Sequence, residues 1–151
     1  MKTTLPPALV QAYRQAWYEV WLPASGQMSS QVQDTPSLLQ VDVAHAPLRQ
    51  TMQRLNARQA CLLTACNPRG QLLPAAENTR RMQALRQALQ AEGWTWTPAL
   101  GRDPLGQWPG EESLLIWHMD RAQARYWGRQ WAQNAVLVFG DDAIPRLECL
   151  R

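Results

Sequence analysis

Two histidines, three cysteines and one lysine are all that these 151 residues contain of those side chains, and each shortage closes off a class of function. Zinc centres need Cys and His at close, repeated spacings, and no such spacing occurs. Cys61, Cys66 and Cys149 are odd in number. Cys61 and Cys66 fall five apart on one expected strand, which would turn them to opposite faces and bar a shared metal. All three read as reduced thiols that fill small apolar spaces. Also missing is any apolar run approaching the roughly 18–20 residues of a membrane-spanning helix. The start, Met1-Lys2-Thr3-Thr4-Leu5-Pro6-Pro7, lacks the continuous apolar segment of a secretory signal. The expectation is a cytoplasmic protein with no membrane partner. No phosphate-cradling glycine loop or nucleotide fingerprint is present, so no cofactor is implied.

Lys2 stands against 14 arginines, yet the formal charge is only +3. Alongside plentiful Gln, Ala, Leu, Trp and Pro, this bias reads as the imprint of a GC-rich genome. Acids and arginines are interspersed, without the concentrated basic excess of a nucleic-acid-binding domain. A nucleic-acid partner is therefore not expected. Hydrophobic residues make up 46% and charged residues 18%, an ordinary globular balance. The length fits a single domain, 1–151, able to bury a real core.

Pro6-Pro7 can open a short helix, with Val10, Tyr13 and Trp17 at helical spacing; equally, Trp17 to Leu22 could be a strand ended by Pro23. Pro23 to Asp34 reads as a loop, Ser37 to Val43 as a strand, and Pro47 to Arg58 as a helix. Gln59 to Cys66 is a nearly all-apolar buried strand, stopped by the turn chemistry of Asn67-Pro68-Arg69-Gly70. A helix from about Asn78 to Glu92 follows, with Met82, Leu85 and Leu89 inward and Gly93 ending it. Trp94 to Leu100 is a strand, Gly101 to Gly110 a loop of a length that often carries function, and Ser113 to Met119 a buried strand. Asp120 with Gln123 makes a capping-box pair for a helix whose inward stripe is Ala124, Trp127, Gly128 and Trp131. Asn134 to Phe139 is the next strand, before a short final segment around Ile144 to Leu150.

From Gln59 to Phe139 the order is strand, helix, strand, strand, helix, strand. That is the split β-α-β order of a ferredoxin-like α+β fold. Residues 59–151 form this core, and 1–58 add an N-terminal hairpin and helix. Elements that reverse direction sort their connections to two ends. One end gathers Asn67, Glu77, Asn78, Arg81, the 101–112 loop with Trp108 and Glu112, then Ser113, Gln133 and Asn134. Neutral amides with a few charges suit a small polar ligand, and free N–H groups near Asn78 suit an anion. The candidate ligand-binding set is Asn67, Asn78, Arg81, Trp108, Glu112, Gln133 and Asn134. Plainer roles stand beside it: Asn67 as a turn former, Asn78 as a helix cap, Gln133 and Asn134 as partners for backbone groups.

Thr64-Ala65-Cys66-Asn67-Pro68, Glu77-Asn78 with Arg81, Gly101-Arg102-Asp103-Pro104 through Trp108-Pro109-Gly110-Glu111-Glu112-Ser113, and Gln133-Asn134-Ala135 together resemble the family called domain of unknown function 3293. The resemblance covers about Tyr13 to Leu150. It implies an intracellular bacterial protein and supplies no reaction. The family commonly carries an aromatic residue where Cys66 stands.

Sharper chemistry finds less support. About 15 Å of strand would separate Ser113 from His118, and His45 reads as a surface or satisfied histidine. Of the neighbouring carboxylates only one can face the site, and Glu112 fits the family pattern better than Glu111. Asp103 with Glu112 is a weak magnesium signal. An enzyme acting on a phosphorylated or nucleotide-like substrate would use Glu112 as base and Arg81 on the anion. An RNA- or protein-binding module would use the Arg121/Arg125/Arg129 stripe; the plain reading of that stripe is a solvated helix face.

Overall fold

A computed structural model describes residues 5–24 and 31–151. The first residues and the middle of the expected 23–34 loop lie outside the described part. Twelve elements follow one another as α1 (Pro7–Gln15), β1 (Trp17–Val20), β2 (Ser37–Leu39), α2 (Ala46–Arg54), β3 (Ala60–Leu63), a 3-10 turn (Pro68–Gly70), α3 (Ala75–Ala91), β4 (Trp96–Arg102), β5 (Glu111–Trp117), α4 (Arg121–Gln130), β6 (Ala135–Phe139) and β7 (Pro145–Cys149).

The first expected ambiguity resolves both ways. Pro7 starts α1, Ala16 turns the chain extended, and Trp17 leads a strand. Helix α2 takes His45 as its cap, Nδ1 accepting from Leu48 N–H at 3.2 Å. Helix α3 begins three residues earlier than its sequence signal, at Ala75 after Pro74. Asn78 is therefore inside the helix and is not its cap. Its free side-chain amide is spent elsewhere. Helix α4 has the expected box, Asp120 accepting from Gln123 N–H at 2.8 Å while the Gln123 side chain accepts from Asp120 N–H.

All seven strands join one antiparallel sheet in the order β2-β1-β4-β5-β3-β6-β7. Helix α3 links β3 to β4 across the intervening β5, and α4 links β5 to β6 across β3. The N-terminal strands pair on β4, so they extend the same sheet. The final segment, which carried no strand signal, pairs with β6 as β7.

Side-chain alternation along the strands sorts the core into two layers. Cys61, Leu63, Leu114, Ile116 and Val136 pack under α3 and α4, against Met82, Leu85, Leu89, Ala124 and Trp127. Leu62, Leu115, Trp117, Leu137 and Phe139 face the other way, with Tyr18 and Val20 of β1 and Leu48 and Met52 of α2. Cys66 corrects one expectation: β3 ends at Leu63, so the period of two stops, and Cys66 joins Cys61 on the α3/α4 side. All three cysteines are free.

Gly128 lets α4 sit close on the sheet. A β-carbon there would overlap Leu150 and approach Val136 at 2.9 Å. We expect Gly128→Ala to destabilise the fold by about 1–3 kcal/mol through overpacking, even though alanine favours helix. Urea unfolding checks this, and an unchanged or raised midpoint would show that α4 has room to move.

Candidate functional site

The cleft of interest opens on the sheet face opposite α3 and α4. Leu62, Ser113, Ala135, Leu137 and Leu147 present their side chains there, with Tyr18 from β1 and Gly101 from β4. Helix α1 brings Leu9, Ala12 and Tyr13, and the β4–β5 loop brings Trp108 and Pro109. The space within it is about 250 Å³ and mostly apolar. Its size suits a molecule smaller than a drug-sized ligand.

Among the described residues of the cleft's lining, Glu111 is the one that carries a charge. Strand alternation puts Glu111 and Ser113 on the cleft side and Glu112 on the other. The sequence favours Glu112, and here the structure differs: its carboxylate pairs with Arg86 of α3 at 2.5 Å and stays half exposed. Glu111 has no ion pair among the described residues, and burial pushes its carboxyl above the ordinary range despite a hydrogen bond from Asn67. Burial also raises the Tyr13 and Tyr18 hydroxyls beside it, and the negative charge of Glu111 adds to both shifts.

The turn after β3 holds this carboxylate in place. Asn67 (φ 49°), Arg69 (φ 55°) and Gly70 (φ 76°) all adopt left-handed backbone, a region asparagine and glycine tolerate well. Asn67 Nδ2 donates to Glu111 Oε2 at 2.8 Å, while its Oδ1 accepts from Leu73 N–H and Asn78 Nδ2, both at 2.9 Å. Asn78 Oδ1 in return accepts from Asn67 N–H at 2.9 Å. The amide pair is a brace between turn and helix.

A second brace ties the turn to the α4–β6 connection. Arg69 N–H donates to Ala132 O at 2.7 Å. Arg81 donates through Nε to Ala65 O at 2.5 Å and through Nη2 to Trp131 O at 2.9 Å, its guanidinium lying 5.9 Å from the Trp131 ring centre. Gln133 Nε2 donates to Cys66 O and Trp131 O, both at 3.1 Å. Asn134 Nδ2 lies 3.5 Å from the Tyr13 hydroxyl, and its Oδ1 accepts from Arg151 at 3.0 Å.

Residues 63–136 match the sequence model of a family described as a protein of unknown function, DUF3293. This part of the chain is its DUF3293-like segment. It runs from the last residue of β3 into β6, a shorter span than the Tyr13 to Leu150 resemblance. It contains all seven residues expected from the sequence, and Glu111 as well. No curated protein and no solved structure matches the chain significantly.

The seven residues divide by place. Asn67, Trp108 and Gln133 line the cleft. Asn78, Arg81 and Asn134 lie behind it as braces, and Glu112 faces away. Tyr13 and Tyr18, outside the DUF3293-like segment, were missed. Tyr13 carried only a helix-spacing signal, and nothing local places α1 over the sheet.

Other candidates find different employment. Asp103 accepts from Leu105 N–H at 3.0 Å and Gln107 N–H at 2.7 Å, so it shapes its loop. No cluster of three or more metal-binding side chains occurs among the described residues. Arg121 and Arg125 both bind Glu148 of β7, whose carboxyl they hold below its ordinary range. Burial raises the Cys66 thiol above its ordinary range, which leaves it a poor nucleophile.

Because Arg81 acts through a fixed fork of donors to two carbonyls, we expect Arg81→Lys to cost about 1–3 kcal/mol of stability while keeping the charge. Urea unfolding of the variant measures it; a loss under a few tenths would mean the brace is dispensable.

Proposed function

We propose that this chain binds a small, partly apolar molecule in the cleft between α1 and the sheet, with Glu111 as its polar anchor. One observation carries the reading: a sheltered carboxylate, oriented by Asn67 and lacking any cationic partner among the described residues, lines a mostly apolar space. Leaving a charge so placed costs stability, and function is the usual reason such a cost persists. Among the described residues no arginine or lysine lines the cleft, and the helix start expected to attract an anion lies elsewhere, at Ala75. The polar ligand of the sequence reading is therefore kept in the proposal and the anionic one is set aside.

We also infer that β3–α3–β4–β5–α4–β6 is a ferredoxin-like core. Its support is the spatial order β4-β5-β3-β6, in which each helix crosses over one intervening strand. A cytoplasmic bacterial setting remains our reading: the three cysteines are free, and no helix among the described residues is long and apolar enough to cross a membrane.

A thermal-shift screen of small metabolites tests the cleft. Ala12→Trp, on the α1 side, fills the space with little disturbance of the sheet, and hits found with wild type should disappear in it. Hits that persist place the ligand elsewhere.

Glu111 also makes a pH prediction. Its folded pKa is raised, so its cost is absent below the ordinary carboxylate value of 4.5, grows as pH rises from there to the folded value, and is fully present above it. Glu111→Gln, which can still accept from Asn67, should melt higher than wild type at pH 7 and converge with it near pH 4. A difference that does not change with pH would show that Glu111 is adequately solvated.

A further inference from the structure

We propose that the cleft takes an organic ammonium cation, with Glu111 as its counter-charge and the Tyr13, Tyr18 and Trp108 rings as its walls. This rests on the cleft being a ligand site and names the group that its ligand carries.

Charge argues first. Among the described residues the lining holds one carboxylate and no arginine or lysine. An anion entering this space would meet a like charge in a poorly solvated setting, whereas a cation would neutralise it. Among the described residues, five other acids are ion-paired: Glu19 with Arg102, Asp42 with Arg14, Glu112 with Arg86, Asp142 with Arg146, and Glu148 with Arg121 and Arg125. Asp34, Glu77, Glu92 and Asp141 are exposed to water, and Asp103 and Asp120 accept from backbone N–H groups. Glu111 is sheltered and has no such partner among the described residues.

The second argument counts donors. Asn67 gives its Nδ2 to Glu111, Gln133 its Nε2 to two backbone carbonyls, Tyr18 its hydroxyl to Tyr13 O, Ser113 its hydroxyl to Glu111 O, and Thr64 its hydroxyl to Glu112 O. A carboxylate or phosphate ligand would find these groups largely committed; the Tyr13 hydroxyl, which accepts from Asn134, and the Trp108 indole N–H are neutral donors that remain. An acceptor stays available too. Among the described residues the Glu111 carboxylate accepts one side-chain bond, at Oε2, where an ionised carboxylate can accept several.

The walls supply the third argument. Aromatic faces are electron-rich and attract cations most where water is displaced. Three rings and a carboxylate around about 250 Å³ match a small hydrocarbon body with an ammonium head. A metal ion fits less well, since hard cations need several oxygen ligands and one carboxylate is present.

Benzylammonium and benzyl alcohol have nearly the same shape and differ in charge. Titrating each into the full chain, followed on the Trp108 indole N–H resonance, should show the cation binding wild type at least about tenfold more tightly. In Glu111→Gln the ratio should fall to near one through loss of cation affinity. Equal affinities in wild type, a comparison that needs no variant, or a preference surviving in Glu111→Gln, would overturn the ammonium assignment. Binding of benzyl alcohol would then still support the cleft. If neither probe moves Trp108 at low millimolar concentration, the cleft reading falls together with the ammonium assignment.

Discussion

Everything at the cleft depends on how the turn after β3 is bound to the connection after α4. Two non-glycine residues of that turn, Asn67 and Arg69, and Ala132 opposite them have left-handed backbone. Such residues cost about 1–2 kcal/mol each unless they are asparagine or glycine. Hydrogen bonds across the gap offset that cost: Arg69 N–H to Ala132 O, Arg81 to the carbonyls of Ala65 and Trp131, and Gln133 to the carbonyl of Cys66. Bonds from a charged donor are worth about 1.5–3 kcal/mol, enough to balance a strained residue. With the turn fixed, Asn67 can hold Glu111 in one orientation before any ligand arrives. Preorganisation of this kind lowers the cost of binding.

About half of the arginines are occupied within the molecule. Among the described residues six of them pair with carboxylates, and Arg81 is spent on backbone carbonyls. The arginine stripe on α4 looked like a phosphate-contact line, but two of its members converge on Glu148, whose side chain is only 13% exposed. Charges matched in this way cancel locally and leave a mild overall field, a poor footprint for a polyanion. Against that background a carboxylate that is both unpaired and sheltered in a cleft stands out more than any positive patch.

Much of the fold was legible because it follows from local rules. The capping box at Asp120, the inward stripe Met82, Leu85 and Leu89, the break at Gly93 and the buried run of β3 depend only on near neighbours. Signals failed where a distant partner decided the outcome. β7 reads poorly as a strand, carrying Pro145, Arg146 and Glu148, yet it forms because β6 offers a free edge. Helix α3 starts before its apparent cap because Asn78 is needed by Asn67, and propensity gives way to a tertiary hydrogen bond.

The same division runs through the site. Sequence by itself determined that amides, a tryptophan loop and paired acids would meet at one end of the sheet, because chain reversals sort connections to two ends. It also determined that only one of Glu111 and Glu112 could face the site, because strand side chains alternate. Which one, and what lies over it, only the tertiary structure decided. A period of two defines two faces without saying which will be covered by α3 and which by α1 and α2. Burial, and with it the unusual state of a carboxyl group, belongs to that choice of cover.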